Sequence, residues 1–387
     1  MAAMLTDPLF LFAALTLLLW LGVAWEVMRG NRSLRRLATL RAPEPVDWPR
    51  VSIVFAARNE GLTVGAAVPT MLQLDYPDLE LIAVDDRSED DTGAVLGKLA
   101  ATDPRLRVVP VTKLPAGWLG KTHALQLGAD QATGEWILFT DADINFRPDV
   151  LRRAVAYARA HSLDHLAAVP QLHEHGAGLG ICVSAFSLLF ALFVRPWRVV
   201  NPVSRCHGGV GAFNFVRTST YYKLGGHGPL RLRPDDDMKL GKLMKSGGFS
   251  EVVLGAGALS VSWYASVREL IHGLEKNTFA GVDYRVSLIL GAVAAHLVGV
   301  FWPLLAVFAA TGPARWLWLA SVAVMLLVAV DNTRFDGGRR WHGLFLPVGV
   351  AVMDYILVRS MILTFWRRGI IWRGTHYPLH DLKANRL

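Results

Sequence analysis

The hydrophobic pattern along this chain changes character several times, and each change marks a different kind of element. Residues 5–28, LTDPLFLFAALTLLLWLGVAWEVM, hold about 20 nearly uncharged positions, enough for one bilayer-spanning helix. Comparable apolar runs return at Val286–Thr311, Trp316–Val330 and Leu344–Phe365. Between them come short, β-branched, almost continuously apolar stretches: Val51–Ala57 (VSIVFAA), Leu79–Val84 (LELIAV), Arg105–Val111 (RLRVVPV) and Trp136–Thr140 (WILFT). Runs of that length predict strands covered on both faces. Mixed stretches near 61–74, 89–101 and 120–132 predict the intervening helices. Strand alternating with helix implies an α/β fold built on a parallel sheet with right-handed crossovers.

This pattern divides the chain. Residues 5–28 form an N-terminal anchor, and 29–49 a basic linker punctuated by Pro43, Pro45 and Pro49. An α/β domain follows over 50–280, then membrane helices over 286–366 and a basic tail over 367–387. Inside the domain the segment 177–200 stands out, because AGLGICVSAFSLLFALFV (Ala177–Val194) is long enough to span. A single crossing there would put Asp141 and Asp237 on opposite sides of the membrane. The segment is therefore expected to lie in the interface or re-enter, with Arg195, Trp197 and Arg198 as its belt. A buried core helix is the alternative.

Composition sharpens the class. Of the 387 residues 52% are hydrophobic, too many for an ordinary soluble enzyme, yet the middle is too charged for a purely transmembrane protein. The net charge of +8 comes partly from Arg and Lys flanking the apolar runs, which suits an anionic membrane surface. Arg29, Arg32, Arg35, Arg36 and Arg41 follow the first apolar run instead of preceding it. That order predicts a retained anchor in the inner (plasma) membrane with the domain in the cytoplasm. Three later crossings would place Arg367, Arg368, Arg373 and Lys383 outside, against the charge rule. Asp354 and Arg359 within the last run suggest a re-entrant or bundle-facing helix. No aromatic-interleaved basic motif favours nucleic acid. Cys182 and Cys206 form no C-x-x-C, so neither zinc nor a disulfide framework is indicated.

In open α/β sheets ligands sit beyond the carboxyl ends of the strands. Here Arg58-Asn59-Glu60 follows the first strand, Asp85-Asp86-Arg87-Ser88 the second and Asp141-Ala142-Asp143 the fourth. Two close carboxylates suit Mg²⁺ or Mn²⁺ bridging phosphate oxygens, and such an ion would offset charge growing on a departing diphosphate. Lys121 in GWLGKTHAL lies at a helix start, where free amides also favour phosphate. A P-loop would need glycine at position 115, which is Pro. In PDDDMKLGKLMKSGG, capping could occupy Asp235 and Asp236, leaving Asp237 as a candidate general base. His161 and His165, read as one helical face, and His173-Glu174-His175 are expected to be surface or supporting residues, not metal ligands.

These residues resemble a membrane glycosyltransferase of family 2 over roughly 50–280. The resemblance rests on ARNE, VDDRSEDDT, GWLGKTHALQLGADQATGEWILFTDADI, GAFNFVRTSTYYKLGG and DDMKLGKLMKSGG. The tail IIWRGTHY is similar to one in ceramide glucosyltransferases and related lipid-modifying members. The resemblance implies a GT-A fold, a UDP-sugar donor, a divalent ion and inversion at the anomeric carbon. By position it places Ala56, Arg58, Glu60, Asp85, Asp86, Lys121, Asp141 and Ala142 at the donor. Asp143 and Asp141 fall at the metal, Asp237 at the base, and Asp236 at the acid before it, where the family carries Glu. The Q-x-x-R-W of polysaccharide synthases is missing from VSWYASVRELIHGLEKNTFAG. Trp263, Tyr264 and Lys276 are the candidates for the acceptor entrance in its place. The expected activity is transfer of one hexose to a membrane-lipid hydroxyl (ceramide, hopanoid, carotenoid or isoprenoid type). A processive polysaccharide synthase and a non-catalytic membrane scaffold remain the alternatives.

Overall fold

A computed structural model describes residues 7–387; Leu5 and Thr6 of the expected anchor lie outside the described residues. The chain forms two compact units. One comprises Leu34–His173, Val194–Ser262 and Tyr377–Leu387, and the other the N-terminal helix to Ser33 with Glu174–Phe193 and Trp263–His376.

The first unit is built on a seven-stranded sheet. Its strands β1 (Val51–Ala57), β2 (Leu79–Asp86), β3 (Leu106–Val111) and β4 (Trp136–Asp141) pair in parallel in the order β3-β2-β1-β4. Burial of nearly every residue of β1, β2 and β4 explains their unbroken apolar runs. The helix Gly120–Asp130 packs on β1 and β2 so closely that a Cβ at Gly128 would lie 2.5 Å from Val54 Cγ1. Beyond β4 the all-parallel expectation fails. Asn214–Arg217 runs antiparallel to β4 and to His165–Val169, and Ser250–Leu254 closes the edge parallel to the latter. The sheet is therefore mixed. Trp136 stacks on Phe215 at 4.7 Å, with the Arg217 guanidinium 4.5 Å above the same indole. Large aromatic surface, not strand length, thus holds this antiparallel junction.

The second unit is helical. Among the described residues five helices are long and apolar enough to cross a membrane: Pro8–Ser33, Ala177–Arg198, Val286–Ala309, Gly312–Phe335 and Arg340–Trp366. Several polar side chains along them are paired. Arg32 binds Asp331 through two bonds of 2.7 Å, and Asn31 donates to Asn332 at 2.9 Å. Asp354 meets His296 at 2.6 Å, while Arg359 and Arg367 converge on Glu275 at 3.0 and 2.7 Å. Asp354 and Arg359 accordingly face bundle partners. Pro303 has no N–H for the carbonyl of Gly299 four residues earlier, and the helix widens into a π turn over Leu297–Phe301. The Trp20 indole supplies the missing donor to Gly299 O at 2.8 Å.

Candidate active site

The loops after β1 and β2 are fastened to each other. Asn59 (φ 55°) and Arg87 (φ 59°) adopt left-handed backbone, which turns each loop sharply at the strand end. Asn59 N donates to Ser88 Oγ at 3.1 Å, Glu89 N to Asn59 Oδ1 at 2.8 Å, and Glu60 N to Thr92 Oγ1 at 2.8 Å. Asp90 accepts from Gly61 N and Thr92 N, so it anchors the starts of both following helices. Asp85 accepts from Ser88 N at 3.1 Å. Asp86 is buried and receives two bonds from Arg87, 2.8 and 3.2 Å long. A methyl group at Gly120, one residue before Lys121, would overlap the Asp86 carboxylate. Arg58 stands in the same loop as Asn59 and Glu60.

The end of β4 is arranged differently. Ala56 is the register neighbour of Asp141, and Ala142 is buried. Asp141 accepts from Lys121 Nζ at 2.7 Å, and Asp236 Oδ2 lies 3.9 Å from the same ammonium. Gly211 sits between acids: its N–H donates to Asp237 Oδ2 at 3.0 Å, and a Cβ there would lie 2.5 Å from Asp141 Oδ2. Asp237 Oδ1 accepts from Met238 N at 2.7 Å. Lys121, Thr140, Asp141, Gly211, Asn214, His227, Asp236 and Asp237 line one narrow cleft.

Burial and crowding set the charges. Burial pushes the Asp143 carboxyl up to about 7, and the negative charges of Asp141 and Glu60 add to the shift. Burial likewise raises Asp236 and Asp237, with Lys121 opposing. Burial acts against the Lys121 ammonium, but Asp141, Asp236 and Asp237 outweigh it and hold the lysine well above its usual range. The imidazole of His227, pushed down to about 3 by burial and by Lys121, stays neutral beside them.

The triple aspartate has a division of labour that capping did not foresee. Asp235 stands at the N-cap of helix Asp236–Gly247 without a side-chain capping bond. It instead takes two 2.8 Å bonds from the buried Arg233. Asp236 turns to Lys121, and Asp237 to Gly211. The histidines also require correction. The helix before His161 ends at Ala160, with His161 as its C-cap, and His165 opens a strand, fully buried. His165 Nε2 pairs with Asn214 Oδ1 at 3.0 Å, and Asn214 Nδ2 donates to the carbonyl of Asp237 at 3.4 Å. His165 therefore supports the backbone under Asp237.

Lys121 thus meets Asp141 and Asp236 directly, Asp237 lines the same cleft and acts on Lys121 electrostatically, Asp143 and Glu60 join them electrostatically, and Asp86 abuts the helix start that carries Lys121. Trp263, Tyr264 and Lys276 belong to the helical unit. There Trp263 packs on Phe186 and Tyr264 at ring distances of 4.8 Å, and Lys276 lies 4.7 Å over Trp372 of the IIWRGTHY motif. Sequence reasoning missed Gly211, Asn214 and His227 as site residues. The glycine-rich GGVGAFNF was the available signal for the first two, and a lone histidine gave none.

Residues 52–184 match the model of Glycosyl transferase family 2. Over 159 residues the chain is 35% identical to a beta-monoglucosyldiacylglycerol synthase of Synechocystis sp., covering 37% of this chain and 33% of that protein. Over 95 residues it is 32% identical to a GalNAc(5)-diNAcBac-PP-undecaprenol beta-1,3-glucosyltransferase of Campylobacter jejuni, covering 24% of this chain and 30% of that one. The matched stretches thus span about a third of the curated relatives' length. A mannosyltransferase of Pyrobaculum calidifontis, solved in complex with GDP-Man and Mn²⁺, shares the fold. Its TM-score is 0.55 at 19% identity, covering 92% of this chain and 99% of that one. Residues 52–184 are a glycosyl transferase family 2 domain, carried on a GT-A-like mixed sheet.

Proposed function

We propose that this protein is an inverting glycosyltransferase that moves one hexose from a UDP-sugar to a hydroxyl of a membrane lipid. The observation that carries the reading is the acid cluster about Lys121, where Asp141, Asp236 and Asp237 share one cleft at the carboxyl end of β4. Lys121 and the start of its helix offer positive charge to the donor's diphosphate. Arg58, Glu60, Asp85 and Asp86 lie on the nucleoside side.

Asp141 and Asp143 fit a hard divalent ion. They supply two carboxylates, leaving other positions for phosphate oxygens and water, and the upward push on Asp143 is the electrostatic strain a cation relieves. When bound, Mg²⁺ or Mn²⁺ would neutralise charge developing on the leaving diphosphate.

The protein's own part begins at Asp237. Its carboxylate accepts the proton of the acceptor hydroxyl as that oxygen attacks the anomeric carbon, and the bond to the diphosphate oxygen breaks on the opposite face. Gly211 N–H fixes the carboxylate's orientation. Burial raises its proton affinity, which suits a base.

A lipid acceptor is supported by the five apolar helices and by the names of two relatives, one a synthase of beta-monoglucosyldiacylglycerol and the other a glucosyltransferase of an undecaprenol-linked saccharide. We place the first unit on the cytoplasmic face of the inner membrane, with 177–200 in the interface and Trp263, Tyr264 and Lys276 toward the acceptor. The test is nucleotide release by purified protein in lipid nanodiscs, across a panel of UDP- and GDP-sugars with Mg²⁺ or Mn²⁺. Release of UDP that needs both metal and extracted lipid supports the reading. Long polymer among the products would favour the processive alternative, and no turnover together with no thermal stabilisation by UDP and Mn²⁺ the scaffold.

A further inference from the structure

A short helical segment outside the main sheet holds its place only where something ties it down. The stretch Tyr377–Leu387 is tied down on both flanks of the acidic triplet. On the upstream side, Asn385 works as a two-pronged clip: Leu232 N donates to its Oδ1 at 2.9 Å, and its Nδ2 donates to Pro229 O at 2.9 Å. On the downstream side, Lys242, in the helix that Asp236 and Asp237 open, donates through Nζ to Leu387 O at 2.6 Å. Leu382 is fully buried, and Leu387 packs on the cluster that contains Leu230, Leu240, Leu243 and Met244.

The clipped loop has a second set of obligations. Arg231 O accepts from Leu119 N at 2.7 Å and from Thr122 Oγ1 at 2.8 Å, so the loop also holds the start of the helix that carries Lys121. Two residues further on, Arg233 locks Asp235. One short loop therefore sets the spacing between Lys121 and the pair Asp236–Asp237, and Asn385 bridges two of its backbone groups. At the donor end of the same segment, Tyr377 acts electrostatically on Arg87, the partner of Asp86.

We infer that Asn385 is a positioning residue for the base: it holds the loop 229–232 in the shape that keeps Asp237 and Lys121 in register, without touching substrate. The inference rests on the assignment of Asp237 under the proposed function. A misplacement of about 1 Å at a reacting group can cost up to about 10²-fold in rate. Loss of the clip is thus expected to lower kcat while leaving nucleotide binding alone.

The experiment compares wild type, Asn385→Ala, Asn385→Asp and Lys242→Met in full-length protein in nanodiscs. Amide hydrogen exchange of the peptide spanning 229–238 is read first, because it needs no turnover. Faster exchange there in Asn385→Ala, by about tenfold or more, is expected; unchanged exchange overturns the inference whatever the enzyme does. Where wild type releases UDP, Asn385→Ala should lose about tenfold in kcat with UDP affinity within twofold. Asn385→Asp, which keeps the acceptor for Leu232 N, and Lys242→Met, which keeps the clip, should lose less. Equal kcat in all four, or a parallel fall of kcat and UDP affinity, overturns it. Should Asn385→Ala fail to fold, the ranking of Asn385→Asp and Lys242→Met against wild type decides on the same two readouts. Wild type that turns over no nucleotide-sugar sinks the proposed function instead, and the exchange result then stands alone as evidence of the clip.

Discussion

The acids that end β2 and the acids that end β4 belong to the same sheet and are handled in opposite ways. At β2, Asp86 is neutralised by the next residue, Arg87, and Asp85 is bonded to its own turn at Ser88. At β4, Asp141 must reach a lysine 20 positions away, and Asp143, Asp236 and Asp237 crowd about the same cation. Four carboxylates around one ammonium leave an excess of negative charge. Locally balanced charge shapes a loop without calling for a counter-ion, whereas unbalanced charge held in place by distant elements leaves a demand that a cation and a phosphate-bearing ligand can meet.

That contrast can be broken in four ways. Asp237→Asn should have the largest effect, lowering kcat by about 10³-fold with UDP binding retained, as loss of a general base does. UDP release and a UDP titration on the same preparation check it, and equal turnover would remove Asp237 from the base role. Arg87→Met comes next and should act on stability, because Asp86 is left buried without its partner at a cost of about 3 kcal/mol. Denaturant melts of the purified protein measure this. A loss of turnover per folded molecule beyond the stability loss would support the placement of the β2 end on the nucleoside side. Lys121→Met should cost roughly 10²-fold in turnover at saturating metal, through lost electrostatic stabilisation of the departing diphosphate. An unaltered rate would detach the β4 cluster from the chemistry.

The smallest effect concerns pH. The Asp143 carboxyl is raised from its ordinary 3.8 to about 7, so the folded chain holds a proton that the unfolded chain has released. Its stabilising contribution is complete below about pH 4 and disappears as pH rises through about 7. Without metal, stability should fall across that window by up to about 2 kcal/mol after allowance for partial exposure. Asp143→Asn should reduce the fall, the remainder coming from Asp236 and Asp237, which burial also raises. Melts of both forms from pH 4 to pH 8 in chelator would show parallel curves if Asp143 were not the group responsible.

Much of this architecture was legible because it is local. The bounds of β1 and of the helix Asp236–Gly247 coincide with the apolar run VSIVFAA and with the stretch between DD and GG. The D-x-D at Asp141 and Asp143 was visible as the end of a buried strand. The antiparallel strand Asn214–Arg217 was not, since four residues carry too little periodicity and its register is set by Trp136 and Phe215 stacking across the sheet. His165 was read on a helix because histidine has no strong preference, and pairing with Asn214–Arg217 on one side and Ser250–Leu254 on the other decides it. The grouping of 174–193 and 263–281 with the helices, and of Tyr377–Leu387 with the sheet, also depends on packing that no local window contains.

The sequence by itself determined where the strands, helices and apolar spans fall and which acids stand at strand ends, because hydrophobic period and turn chemistry act over a few residues. Tertiary structure decided which acids stay unbalanced: Asp86 and Asp235 find arginines one and two residues away, whereas Asp141 shares with Asp236 and Asp237 a lysine that only the fold brings to it. Electrostatic energy depends on distance and burial in space, and neither is a property of position along the chain.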